Sequence, residues 1–216
     1  MCIRDSSDTG PSLVDSERSG GSFGDIAFKP DGSVVVGYYL YRPDPAVDRV
    51  GIWVAYGSPG SYETRRVSTS GTSSKVSIAV ASDGTIYLAF FALDARDLVL
   101  ATSTDGGDTW TTEAVDASGQ TGLHPSLALD PQDEPVIAYT YCGATSDRDC
   151  PGTLGEDAEV RLARREGGEW KRFRIADGQG FGGVGLFNSL VVGADGKAAV
   201  AFQDSTNSDL VFVEED

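Results

Sequence analysis

Histidine, lysine and cysteine are scarce in this 216-residue chain, which holds one His, three Cys and the four lysines Lys29, Lys75, Lys171 and Lys197. With so few thiols and a single imidazole, a Cys/His zinc site is not expected. Basic charge is short overall: 17 Lys and Arg stand against 33 Asp and Glu, a formal net charge of −16. Such a surface repels phosphate backbones, which argues against a nucleic-acid partner. It suits cationic partners, bound divalent cations or a salty medium. High Asp with scarce Lys fits a saline habitat and a GC-rich genome equally well. No run approaches the roughly 18 apolar residues of a membrane helix, and no stretch reads as a long amphipathic helix. What is present is a hydrophobic content of 40%, enough for a sizeable core and too high for a disordered chain.

The first six residues, MCIRDS, resemble translated sequencing-adapter read-through. They are set aside, with Cys2, from the reading of the fold. The remainder, 7–216, is expected to form one domain.

Four segments align without a gap: DIAFKPDGSVVVGYY from Asp25, SIAVASDGTIYLAFF from Ser77, SLALDPQDEPVIAYT from Ser126 and SLVVGADGKAAVAFQ from Ser189. In each, an apolar residue (Ile26, Ile78, Leu127, Leu190) precedes a turn residue (Asp31, Asp83, Gln132, Asp195). A small residue (Gly37, Ala89, Ala138, Ala201) and an aromatic one (Tyr38, Phe90, Tyr139, Phe202) follow. Two β-branched, apolar runs around an Asp-Gly-type turn predict a β-hairpin. A third run follows at Val50–Tyr56, Asp97–Thr102, Glu159–Arg164 and Asp209–Glu214. A fourth follows in three copies, at Tyr62–Val67, Trp110–Val115 and Trp170–Ala176. Four antiparallel strands per repeat define a propeller blade. The expected fold is therefore an all-β propeller of four repeats, with blades near 23–68, 75–116, 124–177 and 187–216.

Leu13, Val14 and Asp15 match the close of a fourth strand, as in Ala114-Val115-Asp116 and Ile175-Ala176-Asp177. Residues 11–15 thus read as the tail of a preceding blade. They could complete the last blade of a closed four-bladed ring. The favoured alternative is an arc of a larger propeller, whose uncovered sheet faces and strand edges would be an aggregation liability. A complete propeller is expected to be monomeric.

Between the third and fourth runs of the second repeat lies STDGGDTW. Asp105 can accept from amides of its own turn, and Gly107 can take positive φ. Ser103 and Thr109 can add local bonds, and Trp110 buries a ring beside the turn. Ser103, Asp105, Gly107, Thr109 and Trp110 fit the Asp-box pattern Ser-x-Asp-x-Gly-x-Thr-Trp, and with the four hairpins the chain resembles the sialidase-like β-propeller family. The motif reads as a structural staple, which in that family lies opposite the active site. The matching turns of the first and third repeats, YGSPGSY and REGGEW, are two residues shorter and lack the Asp.

The family resemblance implies three arginines on a substrate carboxylate, a Tyr nucleophile with a Glu partner, and an Asp acid/base. Its Arg-Ile-Pro motif is missing. The matching positions read Phe23-Gly24-Asp25, Lys75-Val76-Ser77, His124-Pro125-Ser126 and Phe187-Asn188-Ser189. No catalytic residue is carried over.

The loops joining second to third strands, and one blade to the next, share one face, the usual binding side. The inter-blade links are expected at Ser68–Ser74, Ala117–His124 and Asp177–Phe187. Arg42, Arg96, His124 and Arg148 are candidate ligand contacts there, although exposed loop arginines beside Asp44, Asp94 and Asp147 also read as solvated charges. His124 could work as a base, but it reads more simply as a surface or turn residue beside Pro125. Cys142 and Cys150, eight apart in a polar insertion, suggest a disulfide worth roughly 2–3 kcal/mol, which would imply an oxidising, extracellular or periplasmic compartment; free thiols are the alternative. Asp130, Asp133 and Glu134 fit no known calcium loop and read as a solvated turn. The glycine-rich 178–185 stretch lacks the Gly-Lys-Ser/Thr of a phosphate cradle. No metal or cofactor is expected. The sequence thus predicts a non-catalytic, exported propeller that binds a glycan or a protein. Its alternative is a fragment of a sialidase-like glycoside hydrolase.

Overall fold

The computed structural model describes residues 21–41, 50–58, 61–72, 74–143, 158–178, 183–205 and 207–215. They form fifteen strands and, among the described residues, no helix. The first sheet holds β1 (Ser22–Phe28), β2 (Val34–Leu40), β3 (Gly51–Ser58) and β4 (Ser61–Ser68). The second holds β5 (Ser77–Val80), β6 (Ile86–Ala92), β7 (Asp97–Ser103) and β8 (Thr111–Asp116). The third holds β9 (Thr121–Leu129), β10 (Pro135–Tyr141), β11 (Glu159–Glu166) and β12 (Glu169–Asp177). In the fourth, β13 (Val184–Val192), β14 (Ala198–Asp204) and β15 (Asp209–Glu214) are described. Every pairing is antiparallel between strands consecutive in the chain.

The first strands form the inner row: β1 touches β5, β5 touches β9, and β9 touches β13. The repeat positions explain how. The small residue of each β-hairpin sits opposite the first residue of its aligned segment, pairing Asp25 with Gly37, Ser77 with Ala89, Ser126 with Ala138 and Ser189 with Ala201. This low notch lies on the sheet's forward face, toward the next sheet. A Cβ on Gly37 would come within 2.6 Å of Leu88 Cδ1, so the sheets close most tightly there. The aromatic that follows points rearward. Phe90 packs with Val54 and Ile52 of the first sheet, Tyr139 with Leu98 and Leu100 of the second, and Phe202 with Val160 and Leu162 of the third. Each such side chain, fully buried, stabilises the junction by roughly 1.5–3 kcal/mol.

The sheets are therefore blades of a β-propeller. The forward face of the fourth and much of the rear face of the first remain exposed, at Leu210 and Phe212 and at Ile26 and Phe28 respectively. Among the described residues the series is open between them. No helix among these residues is long and apolar enough to cross a membrane.

Two inter-blade links are shorter than the sequence suggests. Pairing resumes at Thr121 opposite Tyr141 and at Val184 opposite Asp204, so β9 and β13 begin before the expected positions. His124 consequently lies within a strand, half-buried, rather than in a loop. The physical reason is an irregularity in both strands: His124 and Phe187 take φ of 49° and 57°, and the ladder steps around them before continuing.

Candidate functional site

The Ser103–Trp110 turn joins β7 to β8 on the side of the β5–β6 hairpin turn. Asp105 Oδ1 accepts from Ser103 Oγ at 2.8 Å and from the Thr109 amide at 2.9 Å, while Oδ2 accepts from Thr109 Oγ1 at 2.5 Å. These bonds, those from Thr109 foremost, lower the Asp105 pKa to about 2. Ser103 Oγ accepts from the Gly107 amide, and Trp110 Nε1 donates to the Gly107 carbonyl. Gly107 has φ of 111°, and a Cβ there would meet the Tyr56 ring at 3.0 Å. The turn also ties two blades together. Lys29 of the first donates to the Gly106 carbonyl at 2.7 Å, and Tyr56 donates to Asp108 at 2.5 Å.

The opposite side carries the β2–β3 and β4–β1 types of connection. Here the residues two places before Asp25, Ser77, Ser126 and Ser189 form a rim: Phe23, Lys75, His124 and Phe187. Three of the four are bulky residues with φ between 49° and 57°. Such conformations cost on the order of 1–3 kcal/mol each and collect at functional sites. They accompany register shifts within β1, β9 and β13.

Lys75 is the centre of this rim. Its ammonium donates to the Asn188 carbonyl of the fourth blade at 2.8 Å, so it spans past the third. Burial pulls the Lys75 pKa down, and the charge of Asp25 on the first blade partly restores it. His124 donates its amide to Ser74 Oγ at 2.6 Å and accepts at its carbonyl from Asn188 Nδ2 at 3.1 Å. Burial, and then the nearby Lys75 charge, lower the His124 pKa to about 4. Its imidazole is therefore neutral near pH 7 and meets the exposed Phe187 ring edge-on at 5.3 Å. On the first blade, Phe23 stacks on Tyr39 at 6.5 Å, and Tyr39 meets the exposed Tyr41 at 6.1 Å. Asp25 is held by Ser77 Oγ and the Ile78 amide. The rim thus offers aromatic faces, one ammonium and a neutral imidazole.

Arg96 lies elsewhere on this side, in a cleft of about 200 Å³ shared with Asp97, Gln120 and Gly143. Beneath it, the fully buried Asp116 accepts from Tyr139 Oη at 2.7 Å and from Arg161 at 3.1 Å. Burial pushes the Asp116 carboxyl up, but the bonds from Tyr139, Ser118 and Arg161 outweigh it and hold the pKa below the ordinary carboxylate value. Arg42, Arg148 and Cys150 lie outside the described residues. Cys142, just past β10, is disulfide-bonded. Asp133, expected to face only solvent, accepts from the Ser82 amide at 3.1 Å and links the second and third blades. The sequence singled out His124 but not its assembly with Lys75 and Phe187. The signal was their common offset from the repeat.

The four sheets and their inner row define a β-propeller. No family model matches the sequence, and no curated protein matches it. Solved structures do share its fold. The Hadza microbial sialidase Hz136 superposes with a TM-score of 0.61 at 14% identity, over 91% of this chain and 44% of that one. An ulvan lyase of the polysaccharide lyase class PL25, bound to -[GlcA(1-4)Rha3S]-, also gives 0.61 at 14% identity, over 96% of this chain and 59% of that one. The exo-β-1,3-galactanase of Phanerochaete chrysosporium gives 0.53 at 12% identity, over 89% and 45%. This chain therefore spans about half the length of these proteins.

Proposed function

We propose that this chain is a non-catalytic, exported propeller that binds a glycan on its loop face, at the rim of Phe23, Lys75, His124 and Phe187. The observation that carries this reading is the rim's chemistry. Exposed aromatic faces at Phe23, Tyr41 and Phe187 suit the apolar faces of sugar rings, while Lys75 and the neutral His124 lie beside them to meet polar groups. The rim is held by bonds among the second, third and fourth blades, so little ordering remains when a ligand arrives. The carbohydrate-active propellers named above support the ligand class. The Cys142 disulfide supports an oxidising compartment.

A second reading makes the chain part of a sialidase-like glycoside hydrolase. It is favoured by the 44% of the Hadza sialidase that the chain spans. Isothermal titration with a panel of neutral and acidic oligosaccharides, run beside a fluorogenic sialoside assay, separates the two. We expect saturable binding without product release, weakened roughly tenfold by Phe187→Ala. Hydrolysis above a heat-inactivated control would support the second reading instead. Binding untouched by Phe187→Ala and Phe23→Ala would remove the rim from either.

A further inference from the structure

The cleft of about 200 Å³ beside Arg96 lies between the second and third blades, in the interior of the series. Its frame is fixed by the backbone. The Thr121 amide donates to the Arg96 carbonyl at 2.9 Å, and the Cys142 amide to the Gln120 carbonyl at 2.9 Å. The Leu98 amide donates to Thr121 Oγ1 at 3.1 Å, and a Cβ on Gly122 would come within 2.6 Å of Leu98 Cα. The link that forms one wall is thus clamped to the start of β7 and to the end of β10, so little ordering remains when a ligand enters.

One group in this cleft is left over. Arg96 and Gln120, which also line it, are each engaged in interactions of their own. Asp97 is half-buried, and among the described residues its carboxylate has no hydrogen-bond or ion-pair partner. Burial, and then the charge of Asp116, push the Asp97 pKa up. Asp116 is fully buried and already satisfied by Tyr139, Ser118 and Arg161, whose bonds keep it ionised. Asp97 is therefore a desolvated carboxylate that a cationic donor would stabilise. The net charge of −16 draws cations toward the surface as a whole. A hard metal ion is a poor match, because it takes about six or more oxygens. No group of three His, Cys, Asp or Glu side chains forms among the described residues. A single ammonium fits one free carboxylate.

We infer that the glycan this chain takes carries free amino groups, and that Asp97 receives one of them as an ammonium. This ligand class rests on the glycan reading of the rim and adds the chemistry of the sugar to it. Gln120 and His124 are four residues apart, so at most about 14 Å separates their Cα atoms. An oligosaccharide of amino sugars can therefore lie on the rim with one unit and reach the cleft with another.

Isothermal titration of the 216-residue chain with two hexasaccharides tests this: β-1,4-linked glucosamine and its fully N-acetylated counterpart, which lacks the charged nitrogen. Below neutral pH, where the amines are cationic, we expect the free-amine chain to bind roughly tenfold more tightly. Added salt should weaken that binding. Asp97→Asn should erase most of the preference with the fold intact by circular dichroism, since it removes a desolvated charge that has no partner to lose. Asp83→Asn removes the same charge from an exposed turn on the opposite side and should leave the preference in place. Equal affinity for the two hexasaccharides, or tighter binding of the acetylated one, would overturn the inference and leave the rim reading standing. Binding of neither would overturn it as well, and the wider oligosaccharide panel would then decide the rim reading separately. A preference that survives Asp97→Asn, or that Asp83→Asn reduces equally, would also overturn it by assigning the preference to overall charge.

Discussion

The forward faces of the second and fourth blades are built at the same repeat positions, yet one is a sealed junction and the other is bare. Ser77, Ala89, Leu98 and Leu100 lie under the third blade, while Ser189, Ala201, Leu210 and Phe212 meet solvent. The difference does not come from hydrophobicity, since Leu210 and Phe212 are as apolar as the leucines they match. The repeat specifies a surface, and the neighbour decides whether that surface becomes a core. A repeat array gains most of its stability from such interfaces, so the same substitution should cost very different amounts at the two faces.

The largest effect is expected where the second and third blades share buried charge. Asp116→Ala removes the carboxylate that satisfies Tyr139 and the half-buried side of Arg161. Breaking a buried pair on one side costs about 3–5 kcal/mol, read as a lowered urea midpoint. Asp209→Ala, on the exposed third strand of the fourth blade, should leave the midpoint nearly unchanged. Equal losses would mean that the fourth blade is as tightly integrated as the second.

A smaller effect is expected from pH. The folded-state pKa of His124 is about 4, below the unfolded value near 6.5. Between these values the unfolded chain binds a proton that the native protein does not. Stability on this account is intact above about pH 6.5 and falls as the pH drops toward 4, by an amount on the order of 2 kcal/mol. Denaturation at a series of pH values should show that slope, and His124→Gln should flatten it. Persistence of the slope in the variant would assign it to other groups. The half-buried imidazole lies between blades, so the pH response belongs to a closed junction and not to the bare face.

How much of this was legible in the sequence follows from which interactions are local. The hairpins were readable because turn chemistry and alternation act within some fifteen residues. The hydrogen bonds of the Ser103–Trp110 turn are also local. The link from that turn to Tyr56 and Lys29 was not readable, because it joins residues 52 and 77 positions apart. The early starts of β9 and β13 were hidden for another reason. His124 and Phe187 adopt positive φ, which propensity disfavours for bulky side chains. The repeat alignment named the four rim positions as places where arginine was missing, and of the four only His124 was also read as a candidate contact. That Lys75 bridges to Asn188 past the third blade needs the curvature of the whole series.

The smallest effect should come from truncating the bare face, and that makes it the most discriminating. Leu98→Ala in the second blade deletes a fully buried side chain, at a cost of about 2–5 kcal/mol. Leu210→Ala removes the side chain at the matching position, but one that is mostly solvated, so dilute, monomeric protein should lose less than about 0.5 kcal/mol. Equilibrium unfolding of both variants at low concentration measures the pair. A large loss for Leu210→Ala even in dilute protein would mean that this face is already closed by the chain itself.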